Sequence, residues 1–132
     1  MTETFAAFVF IFFSGIAALF QLALAAGAPW GSVVMAGKYP GRWPASMRVV
    51  ALVQAVLLLA LGGVVIVRAG LVFPDWLETT RTLIWGVVAI SSASGIMNLI
   101  TPVRLERLLW APVGVALTIS SLIVALGAPS RV

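Results

Sequence analysis

The apolar positions of this chain gather into four long runs, and the charges are pushed to the edges of those runs. Phe5–Ala26, Val49–Val67, Thr82–Ile100 and Leu108–Leu126 contain no Asp, Glu, Lys or Arg and are 19 to 22 residues long. At a rise of about 1.5 Å per residue, a helix of that length crosses the roughly 30 Å hydrocarbon core of a bilayer. The runs are apolar nearly all round, whereas the helices of a soluble four-helix bundle carry an apolar stripe. The pattern predicts an all-α fold: an integral membrane four-transmembrane-helix bundle made of two antiparallel helical hairpins. One transmembrane domain covers residues 1–132, with helices at about 5–26, 45–68, 76–100 and 102–127 and one long connection, 27–43.

Short polar segments punctuate the runs. In Thr101-Pro102 the threonine can cap and the proline can take the first helical position, so the fourth helix is expected to begin at Pro102 after a very tight turn. Asp75 and Glu78 have capping-box spacing at the start of the third helix, with Trp76 placed for the membrane interface. Pro44 follows an extended residue and opens the second helix. The connection between the first two helices is different in kind. Its four glycines and two prolines bracket the apolar stretch Val33-Val34-Met35, and it carries Trp30, Tyr39 and Trp43. Two readings stand: a structured lid or re-entrant segment shielded by protein, or an interfacial loop whose rings belong to the aromatic belt.

Ala23-Leu24-Ala25 resembles a small-residue cleavage site, but the leader Met1-Thr2-Glu3-Thr4 has no basic residue and the apolar run is longer than a signal-peptide core. The first run is therefore expected to be a retained span. Composition agrees: 62% of the residues are hydrophobic and 9% charged, too few polar groups to keep a soluble domain of 132 residues dispersed. Cysteine and histidine are both absent, which removes disulfides, thiolate and imidazole metal sites and the usual general base. No cofactor, metal site or catalytic residue is expected. No nucleic-acid partner is expected either.

Orientation follows from the basic residues. Lys38, Arg42, Arg48, Arg104 and Arg107 fall in the first and third connections, against Arg68, Arg81 and Arg131 on the other side. The positive-inside rule then places the first and third connections in the cytoplasm and both termini outside, in a multi-pass protein of the inner membrane. A dual topology would also carry a small bias.

Three amides interrupt the spans: Gln21, Gln54 and Asn98. All three fall in the half of the membrane nearest the first and third connections, and an amide facing lipid would lose its hydrogen bonds at a cost of several kcal/mol. They are expected to point inward, either as interhelical glue or as the lining of a ligand site. The serines of the third and fourth helices are expected to bond back to their own backbone, with Ser91/Gly95 and Ala116/Ser120 forming small-xxx-small pairs. Arg48, Arg104 and Arg107 sit at the amino ends of the second and fourth helices, where the helix dipole disfavours cations. Something anionic is expected to compensate: Glu106 for one arginine, and for the rest either anionic lipid headgroups near Arg42, Arg48, Arg104 and Arg107 or a bound anion. A faint internal echo sets Gln21, Pro44 and Arg48 against Asn98, Pro102 and Arg104 or Arg107, as in a parallel repeat.

The segments GAPWG, GKYPGR, WPASMR and NLITPVRLERLLWAPV make the chain resemble a group of small bacterial four-helix integral membrane proteins of uncharacterised function. The resemblance implies the fold and brings no activity. Small multidrug transporters depend on a glutamate within the first span, and here that span offers only Gln21 as a deep polar group; the glycine-arginine and threonine-rich segments of fluoride channels are not recognisable. Three classes remain. The first is a small oligomeric transporter or channel for a neutral or anionic solute, with Gln21, Gln54, Asn98, Arg48, Arg104, Glu106 and Trp30 as candidate ligand-binding residues. The second is an accessory or assembly subunit of a larger membrane complex, packing as a homo-oligomer or on a partner membrane protein. The third and least favoured is a lipid-modifying enzyme using Glu106 and nearby arginines.

Overall fold

The computed structural model describes residues 2–127. Met1 of the leader and Arg131, which enters the orientation count, lie outside the described residues. The described chain is helical, with four long helices: α1 (Thr2–Ala26), α2 (Ala45–Arg68), α3 (Leu77–Ile100) and α4 (Arg104–Leu126). Each is long and apolar enough to cross a membrane. Short 3-10 turns at Gly31–Val33, Met35–Gly37 and Pro74–Trp76 occupy the connections.

Helix boundaries differ from the sequence expectation where one residue has two duties. Thr101 is the C-cap of α3, held extended ahead of Pro102, and its Oγ1 accepts from the Val103 N–H at 3.4 Å. The threonine thus stabilises the turn itself, and α4 starts at Arg104, two residues later than expected. Asp75 does not cap α3. Pro74 and Asp75 are taken into the 3-10 turn after Phe73, whose φ is +47°, and the N-cap is Trp76 with no side-chain bond. α1 starts earlier than expected, at Thr2, with Glu3 in its first turn where the helix dipole favours an acid.

Two helices end in the same way. After α1, the Ala28 N–H bonds the Ala23 carbonyl and the Gly27 N–H the Leu24 carbonyl; after α2, Leu71 bonds Ile66 and Gly70 bonds Val67. Gly27 and Gly70 have φ of +107° and +84°. These are Schellman ends, and glycine is used because an L side chain at positive φ is strained.

α1 packs against α2 and α4, and α3 against α4 and α2, leaving α1 and α3 at opposite corners. Contacts along paired helices run in opposite order: Ala25 meets Arg48 and Ser14 meets Gly62, while Thr101 meets Arg107 and Gly95 meets Gly114. One core cluster joins Phe10, Val65, Ile84, Val87, Leu117 and Val124 across all four helices. A second, at the end bearing the long loop, joins Leu24, Ala51, Val34 and Trp43. The outward faces stay apolar: Phe5, Phe12, Leu19, Val53, Leu59 and Ile100 are among the large exposed side chains. That is the surface expected of a bundle solvated by lipid.

Two glycines face each other where α3 and α4 approach closely. A Cβ on Gly114 would stand 2.7 Å from the Gly95 Cα and 3.2 Å from its nitrogen, both backbone atoms that cannot rotate away. Ser91 and Gly95, expected as a small-xxx-small pair, lie on the buried stripe of α3. Ser120 and Ser121 donate to the Ala116 and Leu117 carbonyls of their own helix, as expected, whereas the buried Ser91 Oγ does not make the expected backbone bond and has no partner among the described residues. Substituting Gly114→Ala should force α3 and α4 apart and lower stability in detergent by about 1–3 kcal/mol. Gly86→Ala, at a position with nothing within 4 Å, should be neutral or slightly stabilising. Melting curves for both variants check the pair, and equal losses would refute the close approach.

Candidate functional site

The chemistry of the chain converges at the loop end of the bundle, where the long connection 27–43 lies against the first turns of α4. Gly31 is the crossing point of that loop: its N–H donates to the Gly41 carbonyl at 2.9 Å, and a Cβ there would collide with the Tyr39 and Gly41 carbonyl oxygens. The loop therefore closes on itself at a position only glycine can fill. Met35, Ala36 and Gly37 then run consecutively through positive φ, at 50°, 56° and 71°. Two of these are not glycine, and each such residue costs on the order of 1–2 kcal/mol.

α4 holds that strained stretch with two side chains one turn apart. The Ala36 N–H donates to Glu106 Oε2 at 2.9 Å, and the Trp110 indole N–H donates to the Val33 carbonyl at 3.1 Å. Val103 closes the same contact, 3.5 Å from where a Cβ on Gly37 would stand. Rings fill the space between: Phe20 of α1 stacks on Trp30 at 5.5 Å and meets Trp110 edge-on at 4.7 Å. Trp43, 2% exposed, packs with Leu24 and Ala51 beneath the loop, and its indole N–H has no partner.

Glu106 is 5% exposed, so its carboxylate is committed to the loop. No arginine among the described residues comes within ion-pair distance of it, and the ion pair between described residues is Arg81–Glu78, at 3.8 Å on the opposite end. The expectation that Glu106 compensates an arginine is corrected by where the arginines go. Arg48 Nε donates to the Ala25 carbonyl at 2.8 Å, and Arg107 Nη1 donates to the Thr101 carbonyl at 2.6 Å. Arg48 and Arg107, each near the amino end of one helix, thus bond the carboxyl end of the helix before it, where free carbonyls carry the negative end of the dipole. At the other end the arrangement differs: Arg68, in the last turn of α2, donates to the carbonyl of Leu77, the first residue of α3, at 3.0 Å.

The three amides are not joined to one another by any hydrogen bond. Asn98 Nδ2 donates to the Trp110 carbonyl at 3.2 Å and so ties α3 to α4. Gln21, on the opposite corner helix, has a buried Oε1 with no partner. Gln54 is half-buried on α2. Among the described cavities is an open apolar groove of about 210 Å³ between α1 and α4, lined by Phe5, Val9, Ala116, Ile119 and Ser120, at the end away from the amides. Among the described residues no group of three His, Cys, Asp or Glu converges as a metal site.

Pro112 and the Gly31 crossing escape the sequence reading. Pro112 sits inside α4, where it removes a backbone donor two residues after the Trp110 carbonyl that Asn98 takes. A proline in a charge-free run was the signal. Gly31 had none, because its constraint comes from carbonyls eight and ten residues away in the chain.

Removing the Glu106 acceptor should loosen the loop. Losing a hydrogen bond to a charged acceptor costs about 1.5–3 kcal/mol, so a cysteine placed at Val34, a buried residue of the loop, should react with a polar maleimide roughly ten- to a hundredfold faster in Glu106→Leu. Glu106→Gln keeps an acceptor oxygen and should stay within a few-fold of the parent. Equal labelling rates in all three would show that the bond does not hold the loop.

Comparison with protein-family models, with curated proteins and with solved structures gives no match to this chain.

Proposed function

We propose that this chain is a multi-pass membrane protein that serves as a packing subunit, assembling with copies of itself or with a partner membrane protein. In this reading it crosses a bacterial inner membrane as two antiparallel hairpins, with the 27–43 and 101–103 connections cytoplasmic and both termini outside. One observation carries the reading: the polar groups that would line a conduit are instead spent on fixing the fold. Asn98, Arg48 and Arg107 all donate to backbone carbonyls of another helix or its cap, and Glu106 holds the loop. A side chain bonded in this way has fewer donors left for a passing solute.

The outer face of α3 supports the same reading. Only a narrow stripe of that helix, Thr80, Ile84, Val87, Ser91 and Gly95, is buried, while Thr82, Gly86, Ala89 and Ala93 are exposed together on its other side. Small residues at helical spacing let a second helix approach closely. A second reading, a small transporter or channel for a neutral or anionic solute, is favoured by the unpartnered Gln21 Oε1 and by the half-buried Gln54 on α2.

Two measurements test the proposal. Vesicles containing the protein should release chloride and glycerol no faster than empty vesicles, and flux that disappears when Gln21, Gln54 and Asn98 are all replaced by Leu would favour the conduit instead. In mild detergent the chain should run as a complex larger than its monomer, and Gly86→Leu on the open α3 face should return it to monomer size. A monomer with wild-type sequence would refute the assembly role. For orientation, Ser32→Cys should label from the cytoplasmic side and Thr79→Cys from outside; the reverse pattern would invert the topology.

A further inference from the structure

The cations of the loop end divide into two classes. Arg48 and Arg107 are half-buried and bonded to helix-end carbonyls. Lys38, Arg42 and Arg104 are exposed and have no hydrogen-bond or ion-pair partner among the described residues, apart from the Lys38 ammonium lying 5.7 Å from the Tyr39 ring centre. Their positions are fixed by the same contacts that fix the loop. Gly37 approaches Val103 at the loop–helix contact, and Lys38 and Arg104 are the residues that follow these two in the chain. Arg42 lies over the end of α1, its Nε 3.0 Å from where a Cβ on Gly27 would stand.

The acid of this end does not neutralise them, because Glu106 is buried and its carboxylate is turned to the Ala36 N–H. The exposed charge here is therefore of one sign. At the opposite end Arg81 has Glu78 beside it and Asp75 is exposed nearby. The same loop and the first turn of α4 also carry exposed apolar side chains: Trp30 at 47%, Met35 at 44% and Leu105 at 53%. A dissolved anion gains nothing from such neighbours, whereas a phospholipid offers a phosphate to the cations and the upper part of its chains to the rings and aliphatic groups.

We infer that Lys38, Arg42 and Arg104, with Trp30, Met35 and Leu105, form a headgroup-binding surface for anionic phospholipid, and that Arg48 and Arg107 belong to the fold and take no part in it. The inference rests on the reading that the chain spans a bilayer. It narrows the lipid contact expected from sequence from all the arginines of that end to those the helix ends leave free. A cation near an anionic surface adds roughly a factor of five in association, and the effect is screened by salt.

The test uses the full chain in phosphatidylcholine vesicles with spin-labelled phosphatidylglycerol or spin-labelled phosphatidylcholine. The wild type should favour the glycerol lipid several-fold at low salt and lose most of that preference at high salt. The triple variant Lys38→Gln, Arg42→Gln, Arg104→Gln should bind both lipids alike while melting at the wild-type temperature. Arg48→Gln and Arg107→Gln should keep the preference and melt lower. Preference retained by the triple variant, or lost equally in Arg68→Gln/Arg81→Gln at the other end, would overturn the surface. Inorganic phosphate added to the detergent-solubilised protein should leave its melting temperature unchanged; a rise absent from the triple variant would assign these cations to a soluble anion and overturn the lipid assignment. Extraction of the wild type from vesicles by alkaline carbonate would overturn the membrane-spanning reading along with the surface, whereas protein that stays in the vesicles without a lipid preference overturns the surface alone.

Discussion

A helix that stops at the edge of a hydrocarbon layer leaves its last carbonyls without intrahelical partners, and the way this bundle supplies them organises its loop end. Glycine does part of the task, turning the chain back so that Gly27 and Ala28 bond into the end of α1. Arginine does the rest. Arg48 and Arg107 stand at the positive ends of their own helices, a placement that is locally unfavourable, but each reaches the negative end of the preceding helix. A charge-assisted bond of about 1.5–3 kcal/mol outweighs a dipole effect of about 0.3–1 kcal/mol. The same bond that satisfies one helix end therefore ties consecutive helices together.

With Arg48 and Arg107 bonded to helix ends and Arg42 and Arg104 exposed, the one acid of that end serves another purpose. Glu106 accepts the N–H of Ala36, in the middle of three consecutive left-handed residues. Such a stretch does not persist by its own propensity, since two of its members carry a Cβ. It persists because the Gly31 crossing closes it on one side and Glu106 and Trp110 hold it on the other. The loop is thus as specified as the helices, and it covers the buried cluster of Leu24, Ala51 and Trp43.

The spans were legible in the sequence because each is set by a local property, an unbroken apolar run of membrane length. Boundaries were less so. Pro102 reads as a helix start, yet Thr101 is the C-cap of α3, its Oγ1 accepts from the Val103 N–H within the turn, and the N-cap of α4 is Val103. The site was legible in its parts and not in its pairings. Arg48, Glu106, Asn98 and Trp30 all lie at the loop end, but charge alone suggests that Glu106 would meet an arginine. The partner of Arg48 is a carbonyl 23 positions earlier and that of Glu106 an amide 70 positions away, and neither group differs in sequence from any other peptide unit. The internal echo gains a physical content from the same bonds: Arg107, rather than Arg104, plays in the second half the part Arg48 plays in the first.

That echo also breaks, and the break bears on function. Asn98 donates across to the Trp110 carbonyl, close to the place where Pro112 has removed a backbone donor from α4. Gln21, its counterpart, has a buried oxygen with no partner on the opposite corner helix. An amide in an apolar bundle that bonds its neighbour stabilises packing; one that does not carries a desolvation cost with nothing in return from the fold. The two corresponding amides thus differ: Asn98 contributes to packing between α3 and α4, and the Gln21 Oε1 makes no such contribution. Among the described residues, buried side-chain oxygens without a partner lie in both halves of the bundle: Gln21 Oε1 on α1, one turn before the Leu24 and Ala25 that the loop and Arg48 cover, and Ser91 Oγ on the buried stripe of α3.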